Sequence, residues 1–223
     1  MASNFCITST GFGCGKTLAA AIICKHLVAN NQSFQYYEPI ATGQGRVPRS
    51  IDFLRRYTQG DKSQFQFGIV AKNLANNAVQ LQEQYDQRKI NEAINQFTGS
   101  REMVFVEAYG GVLSSITDYY TTLDFIMDNA LNIILVIPLD YNYESHYRTA
   151  LESIYARGLA VNNLIVNRQK GITNDFYSAA LHKVKDETRI PVALEIDFFQ
   201  GWQIGGRQWP EQLQKLQYNS IQL

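Results

Sequence analysis

Ile7-Thr8-Ser9-Thr10-Gly11-Phe12-Gly13-Cys14-Gly15-Lys16-Thr17 is the stretch whose reading decides the fold. Ahead of it, Asn4 to Ile7 is a short apolar run with the character of a buried strand; behind it, Leu18-Ala19-Ala20-Ala21-Ile22-Ile23-Cys24 reads as a helix. Strand, glycine-rich turn, Lys-Thr and helix are the parts of a phosphate cradle. Closely spaced glycines let successive backbone N–H groups face one anion, the helix N-terminus adds partial positive charge, and the lysine reaches the terminal phosphates. This assigns nucleotide contact to Gly11, Phe12, Gly13, Cys14, Gly15, Lys16, Thr17 and Leu18, and places the Thr17 hydroxyl on Mg2+. The strict pattern of such loops has glycine where this chain has Thr10, so the match is partial.

The rest of the composition suits such a fold. A chain of 223 residues, 45% apolar and 18% charged, can bury a sizeable core as one large α/β domain spanning 1–223. Lysine plus arginine equals aspartate plus glutamate at 20 each, and no long basic run breaks the balance, so nucleic-acid and anionic-membrane binding gain no electrostatic support. Cys6, Cys14 and Cys24 cluster in the first strand, loop and helix without zinc spacing, which reads as reduced thiols in a cytoplasmic protein. No apolar run has membrane-spanning length, and the N-terminus lacks the basic-then-apolar pattern of a secretion signal.

Outward from the loop, strands and helices alternate. Phe34 to Tyr37 reads as a strand stopped by Glu38-Pro39, with a Gly/Pro-containing loop after it in which Pro48 opens a helix over Ser50 to Tyr57. Asp61 to Gln80 is weakly patterned and receives no assignment. Helical spacing returns over Tyr85 to Phe97. Met103 to Val106 is a strand ending in Glu107 before Gly110-Gly111, and Tyr119 to Met127 is a helix. Ile133 to Ile137 is the continuous Ile/Leu/Val run of a parallel strand covered on both faces. A helix over Ser145 to Ala156, closed by Gly158, leads to a strand over Leu159 to Val166. A helix over Asn174 to Val184, a strand over Ile190 to Ile196 and a short helix over Trp209 to Leu216 complete the chain. The alternation predicts a mainly parallel, doubly wound sheet flanked by helices, with ligands outside the carboxyl ends of its strands.

In that order the segments resemble dethiobiotin synthetase, within the wider P-loop NTPase group that includes MinD/ParA-type ATPases. That family opens on T-G-T-D-T-x-V-G-K-T, matched by Thr8 to Thr17; its Y-K-P-V-x-T/S-G is Tyr37-Glu38-Pro39-Ile40-Ala41-Thr42-Gly43 here. Its V-E-G-A-G-G is Val106-Glu107-Ala108-Tyr109-Gly110-Gly111, and its A-R-G-L-x-V…V-x-N runs from Ala156-Arg157-Gly158-Leu159 to Val166-Asn167-Arg168. The resemblance implies an ATP- and Mg2+-dependent ligase, cytoplasmic and homodimeric. In its reaction diaminopelargonic acid, a diamine, takes up CO2 as a carbamate, ATP phosphorylates the carbamate, and the second amine closes a cyclic urea. It implies catalytic positions at Lys16, Glu38 and Thr42, and metal ligands at Thr17, Asp52 and Glu107. Asn167 with Arg168 would stand at the adenine, and Phe12, Thr42, Gly110, Asn142 and Ser145 at the substrate. Asp52 also reads as an ordinary helix-start acid, and Asn167 as a turn asparagine.

The departures fall on the substrate side. Glu38 stands where the family has lysine, which as a carboxylate reverses the local charge; losing one such donor costs ~3–4 kcal/mol in a barrier. Gly11 and Phe12 replace Asp and Thr, and Asp197 replaces the Pro of the family's last strand. At the helix that begins G-x-I-N-H in the family, this chain has Asn142-Tyr143-Glu144-Ser145-His146, where Glu144 is expected to compete for the helix N–H groups. An alternative therefore stands beside the ligase: an ATP-binding paralogue that has lost this reaction and acts on another substrate or as a regulatory module. A ParA-like partitioning ATPase is disfavoured, because Ser9 to Gly13 lacks the extra lysine of that group.

Overall fold

The computed structural model describes residues 4–42, 46–71, 91–92, 94–95 and 102–199. The elements are β1 (Asn4–Ser9), α1 (Lys16–Ala29), β2 (Phe34–Thr42), α2 (Arg49–Thr58), β3 (Phe65–Ala71), β4 (Met103–Glu107) and a small hairpin of β5 (Ser115–Thr117) with β6 (Tyr120–Thr121). They continue as α3 (Thr122–Asp128), β7 (Asn132–Leu139), α4 (Tyr143–Ala156), β8 (Val161–Arg168), α5 (Asn174–Thr188) and β9 (Val192–Ile196). Seven strands form one sheet in the order β3-β2-β4-β1-β7-β8-β9. Every pairing in it is parallel.

Alternation along each strand explains the two faces. On β1, Phe5 and Ile7 join the core beneath α1 and α2, with Ile22, Ile51 and Leu54, while Cys6 points to the other face with Val104 and Val106. That second face is covered by α3, α4 and α5 through Phe125, Leu151 and Val184. Helices on both faces of a parallel sheet make the doubly wound architecture expected above. From β1 the chain crosses to β2 on one side, and after β4 it passes β1 to reach β7 on the other. The β1–α1 loop therefore sits where the winding reverses, the place at which open α/β sheets bind ligands.

Several boundaries differ from the sequence reading. β2 does not stop at Glu38-Pro39 but runs to Thr42. Beyond Tyr37 it pairs with β3 alone, and Pro39 has no register partner there, so the missing N–H removes no bond from the ladder. Phe65–Ala71, left unassigned, is β3, with Phe65 fully buried. The helix assigned to Tyr119–Met127 begins only at Thr122: Tyr120 and Thr121 belong to the hairpin, and the Thr121 hydroxyl caps the helix by accepting from the Asp124 N–H at 3.3 Å. Of the helix expected over Tyr85 to Phe97, the described residues Asn91, Glu92, Ile94 and Asn95 are helical. The terminal helix over Trp209 to Leu216, with Gly43, lies outside the described residues. No helix among the described residues is long and apolar enough to cross a membrane.

Candidate functional site

The glycine loop is held from below by β4's continuation. Ala108 N–H donates to the Ile7 carbonyl at 3.0 Å and Val112 N–H to the Ser9 carbonyl at 2.8 Å, so the Gly110-Gly111 turn lies flat against the loop. A Cβ on Gly111 would stand 2.6 Å from the Gly11 backbone nitrogen, which is why this position has no room for a side chain. The loop ends at Gly15, with φ of +96°, and no side chain caps α1 after it. The first N–H groups of a 14-residue helix are thus left for an external acceptor.

Beneath that helix start three groups come together. The Thr17 hydroxyl donates to Glu107 Oε1 at 2.6 Å, and the Tyr36 hydroxyl donates to Glu107 Oε2 at 2.6 Å. Lys16 folds back on the loop, its Nζ donating to Ser9 Oγ at 3.2 Å and to the Gly11 carbonyl at 3.3 Å. Burial pulls the Lys16 pKa down, against the pull of the Glu107 charge. Burial pushes the Glu107 carboxyl up, opposed by Lys16 and by the bonds from Thr17 and Tyr36. Both Glu107 oxygens thus accept O–H donors, with the Lys16 ammonium nearby opposing the effect of burial.

Glu38 behaves differently, and this corrects the charge reversal expected from sequence. It is 7% exposed and forms no ion pair among the described residues; burial first, then the Glu107 charge, raises its pKa to about 8. The Ser50 hydroxyl donates to Glu38 Oε2 at 2.5 Å, too little to offset this. At neutral pH Glu38 holds its proton, so the position loses the family's positive charge without gaining a negative one.

A cavity of about 310 Å3 opens onto Gly13, Gly15, Lys16, Thr17, Leu18 and Glu107, and is bounded further out by Asn167, Arg168, Gln169, Asp197, Phe198 and Phe199. Asn167 is fixed to the loop by donating from Nδ2 to the Cys14 carbonyl at 2.9 Å. That contact leaves no room at Gly15, where a Cβ would lie 2.3 Å from Asn167 Nδ2, whereas one on Gly13 (φ of +72°) meets nothing within 4 Å. Gly13→Ala is expected to lose only the ~1–2 kcal/mol of left-handed strain, and Gly15→Ala distinctly more. Thermal melting of the two variants checks this order, and equal melting temperatures would remove the Asn167 contact as the cause.

Other predicted residues lie elsewhere. Asp52 does not join Thr17 and Glu107: its carboxylate is 56% exposed, pairs with Arg56 at 2.8 Å, and takes no part in the cavity wall, as its place on the outer face of α2 dictates. Thr42 ends β2 and does not line the cavity. Asn142 and Ser145 are exposed at the start of α4. Glu144 does not cap that helix; it is drawn to Lys183 at 2.7 Å and Arg148 at 3.2 Å, because two cations outbid a few partial charges. Phe12 is 55% exposed and packs edge-on against Tyr109 at 5.2 Å, while Gly110 (φ of +64°) turns beside it. Tyr36, Ser50 and Gln169 were not singled out by sequence, which carries no sign that two hydroxyls would settle on buried carboxylates.

Among the described residues no three His, Cys, Asp or Glu side chains cluster to hold a metal. The adjacent oxygens of Thr17 and Glu107 nonetheless suit Mg2+, a hard ion that takes few protein ligands and fills its shell with phosphate and water.

The family described as an AAA domain matches residues 3–200. The ATP-dependent dethiobiotin synthetase BioD of Campylobacter jejuni is 23% identical over 203 residues, covering 91% of this chain and 91% of its own length. That of Caulobacter vibrioides is 24% identical over 174 residues, covering 72% of this chain and 78% of its own. A solved putative plasmid partition protein of Borrelia burgdorferi, bound to AMPPNP, aligns with a TM-score of 0.61 at 12% identity, covering 99% of this chain and 96% of that one. Likeness at that identity concerns the fold.

Proposed function

Since the chain belongs to the AAA domain family, as a P-loop NTPase of the dethiobiotin synthetase family, we propose that it is an ATP- and Mg2+-dependent ligase that closes a cyclic urea from diaminopelargonic acid and CO2. The observation that carries this reading is the convergence of the uncapped α1 start, Lys16, Thr17 and Glu107 on one cavity. The loop amides grip the phosphates, and Lys16 leaves the Gly11 carbonyl for the terminal phosphate. Thr17 and Glu107 would hold Mg2+, whose role when bound is to neutralise charge on the phosphoryl group. Tyr36 keeps the Glu107 carboxylate aimed at Thr17. An amine of the substrate takes up CO2, the carbamate oxygen attacks the terminal phosphorus with release of ADP, and the second amine displaces phosphate as the ring closes. Neutral Glu38 lets the anionic carbamate approach without repulsion, and Lys16 supplies positive charge there. We place this activity in a cytoplasmic homodimer.

A second reading keeps the nucleotide grip and changes the acceptor. It is favoured by Phe12, which offers an aromatic ring where the family has a hydrogen-bonding side chain. One assay decides between them: ATP turnover followed with diaminopelargonic acid and bicarbonate. Dethiobiotin formed in step with ADP is the expected result; ATP binding with no dethiobiotin transfers the case to the second reading.

A further inference from the structure

Resting on the reading of the cavity as a nucleoside triphosphate site, we propose that Ser9 is a positioning residue that holds the Lys16 ammonium back in the loop, so that an arriving triphosphate must break this hold. Ser9 ends β1 and is fully buried. Its Oγ accepts from Lys16 Nζ at 3.2 Å and donates to the Gly11 carbonyl at 2.6 Å, the same oxygen that accepts from Lys16 Nζ at 3.3 Å. Ammonium, hydroxyl and carbonyl close a triangle of hydrogen bonds under the glycine loop. The serine itself cannot drift, because its carbonyl accepts from the Val112 N–H at 2.8 Å and its Oγ lies 3.4 Å from the Gly110 carbonyl.

A second side chain adds to the hold. The Phe12 ring centroid lies 6.0 Å from Lys16 Nζ, within reach of a cation–π contact, and the ring is seated edge-on against Tyr109. Both side chains depart from the family's T-G-T-D-T, which has glycine where this chain has Ser9 and threonine where it has Phe12. Glycine has no hydroxyl to accept from the lysine, and threonine has no ring. The consequence is one of populations. A triphosphate captures the ammonium only in molecules whose Nζ has left Ser9, so the apparent affinity falls with that fraction. The triphosphate still wins, because a bond from ammonium to phosphate is charge-assisted at both ends and one to a hydroxyl at only one.

Calorimetric titration of the full chain with Mg2+-ATP tests it, on the parent, Ser9→Gly, Ser9→Ala and Phe12→Thr. Freed of the hydroxyl, both Ser9 variants are expected to bind ATP about three- to tenfold more tightly than the parent, as a held fraction of that order requires. Phe12→Thr should move the same way by less. The sign is what separates this from a merely structural serine, whose loss would loosen the loop and weaken binding. In the nucleotide-free protein, acetylation of Lys16, read by mass spectrometry against Lys25, should also be faster in Ser9→Ala than in the parent. Unchanged or weaker ATP binding by both Ser9 variants overturns the inference and leaves the triphosphate site standing. Should both melt well below the parent, Phe12→Thr at the exposed loop tip decides, and binding no tighter than the parent's overturns it. Binding of no ATP by the parent or any variant overturns both readings.

Discussion

Lys16→Ala is expected to lower ATP turnover roughly 100- to 1,000-fold, the cost of removing one preorganised donor from a developing phosphoryl charge. Lys16 is 8% exposed and already lies within the loop, donating to Ser9 Oγ and the Gly11 carbonyl, so it reaches a phosphate by a change of partner and not by a long excursion. No other lysine or arginine lines the loop end of the cavity among the described residues; Arg168, further out, is tied to Ile172 and Asp197. Turnover and calorimetric ATP binding measured side by side separate the two contributions. A variant that turns over ATP at the parent rate would show that Lys16 does not face the transferred phosphoryl group.

Glu38→Gln is expected to make the protein more heat-stable in alkaline buffer and to leave it nearly unchanged in mild acid. The sign follows from the proton count. Glu38 has its pKa raised from 4.5 to about 8 in the folded state, first by burial and then by the charge on Glu107. Below pH 4.5 both folded and unfolded chains hold the proton; between 4.5 and 8 only the folded chain does, so stability drains away as pH rises and is lost once the folded group ionises. The loss reaches about 5 kcal/mol at most. Glutamine copies the protonated acid and has no such loss. At 2–4 °C per kcal/mol for a chain of this size, its melting temperature should exceed the parent's by about 10 °C at pH 9 and by little at pH 5. Parallel melting curves across that range would mean that Glu38 is ionised in the folded protein.

The glycine stretch could be read from sequence because it is written in residue types: glycines mark the positive-φ turn at Gly13 and Gly15, and Lys-Thr marks the helix behind it. The continuous run Ile133 to Ile137 likewise announced a central strand, and β7 pairs on both sides. β3 escaped because its alternation, Phe65-Gln66-Phe67-Gly68-Ile69, is short, polar between its apolar members, and interrupted by a glycine. Its strand status comes from pairing with β2, which no local pattern encodes. The site shows the same division. Lys16, Thr17 and Glu107 are legible in the sequence because each occupies a fixed place in a motif. Family spacing points to Asp52, yet its direction depends on which face of α2 is buried, and there Ile51, Phe53 and Leu54 claim the inside. The protonation of Glu38 had no sequence signature at all, since a carboxyl's charge is set by what packs around it.

A crystal structure of the protein with AMPPNP and Mg2+ puts the whole reading at stake. The expected result is a triphosphate beneath the α1 N-terminus, Lys16 Nζ moved from the Gly11 carbonyl to the terminal phosphate, and the metal held between Thr17 and Glu107. An analogue bound away from Gly13 to Thr17, or a metal that Thr17 and Glu107 do not touch, would contradict it.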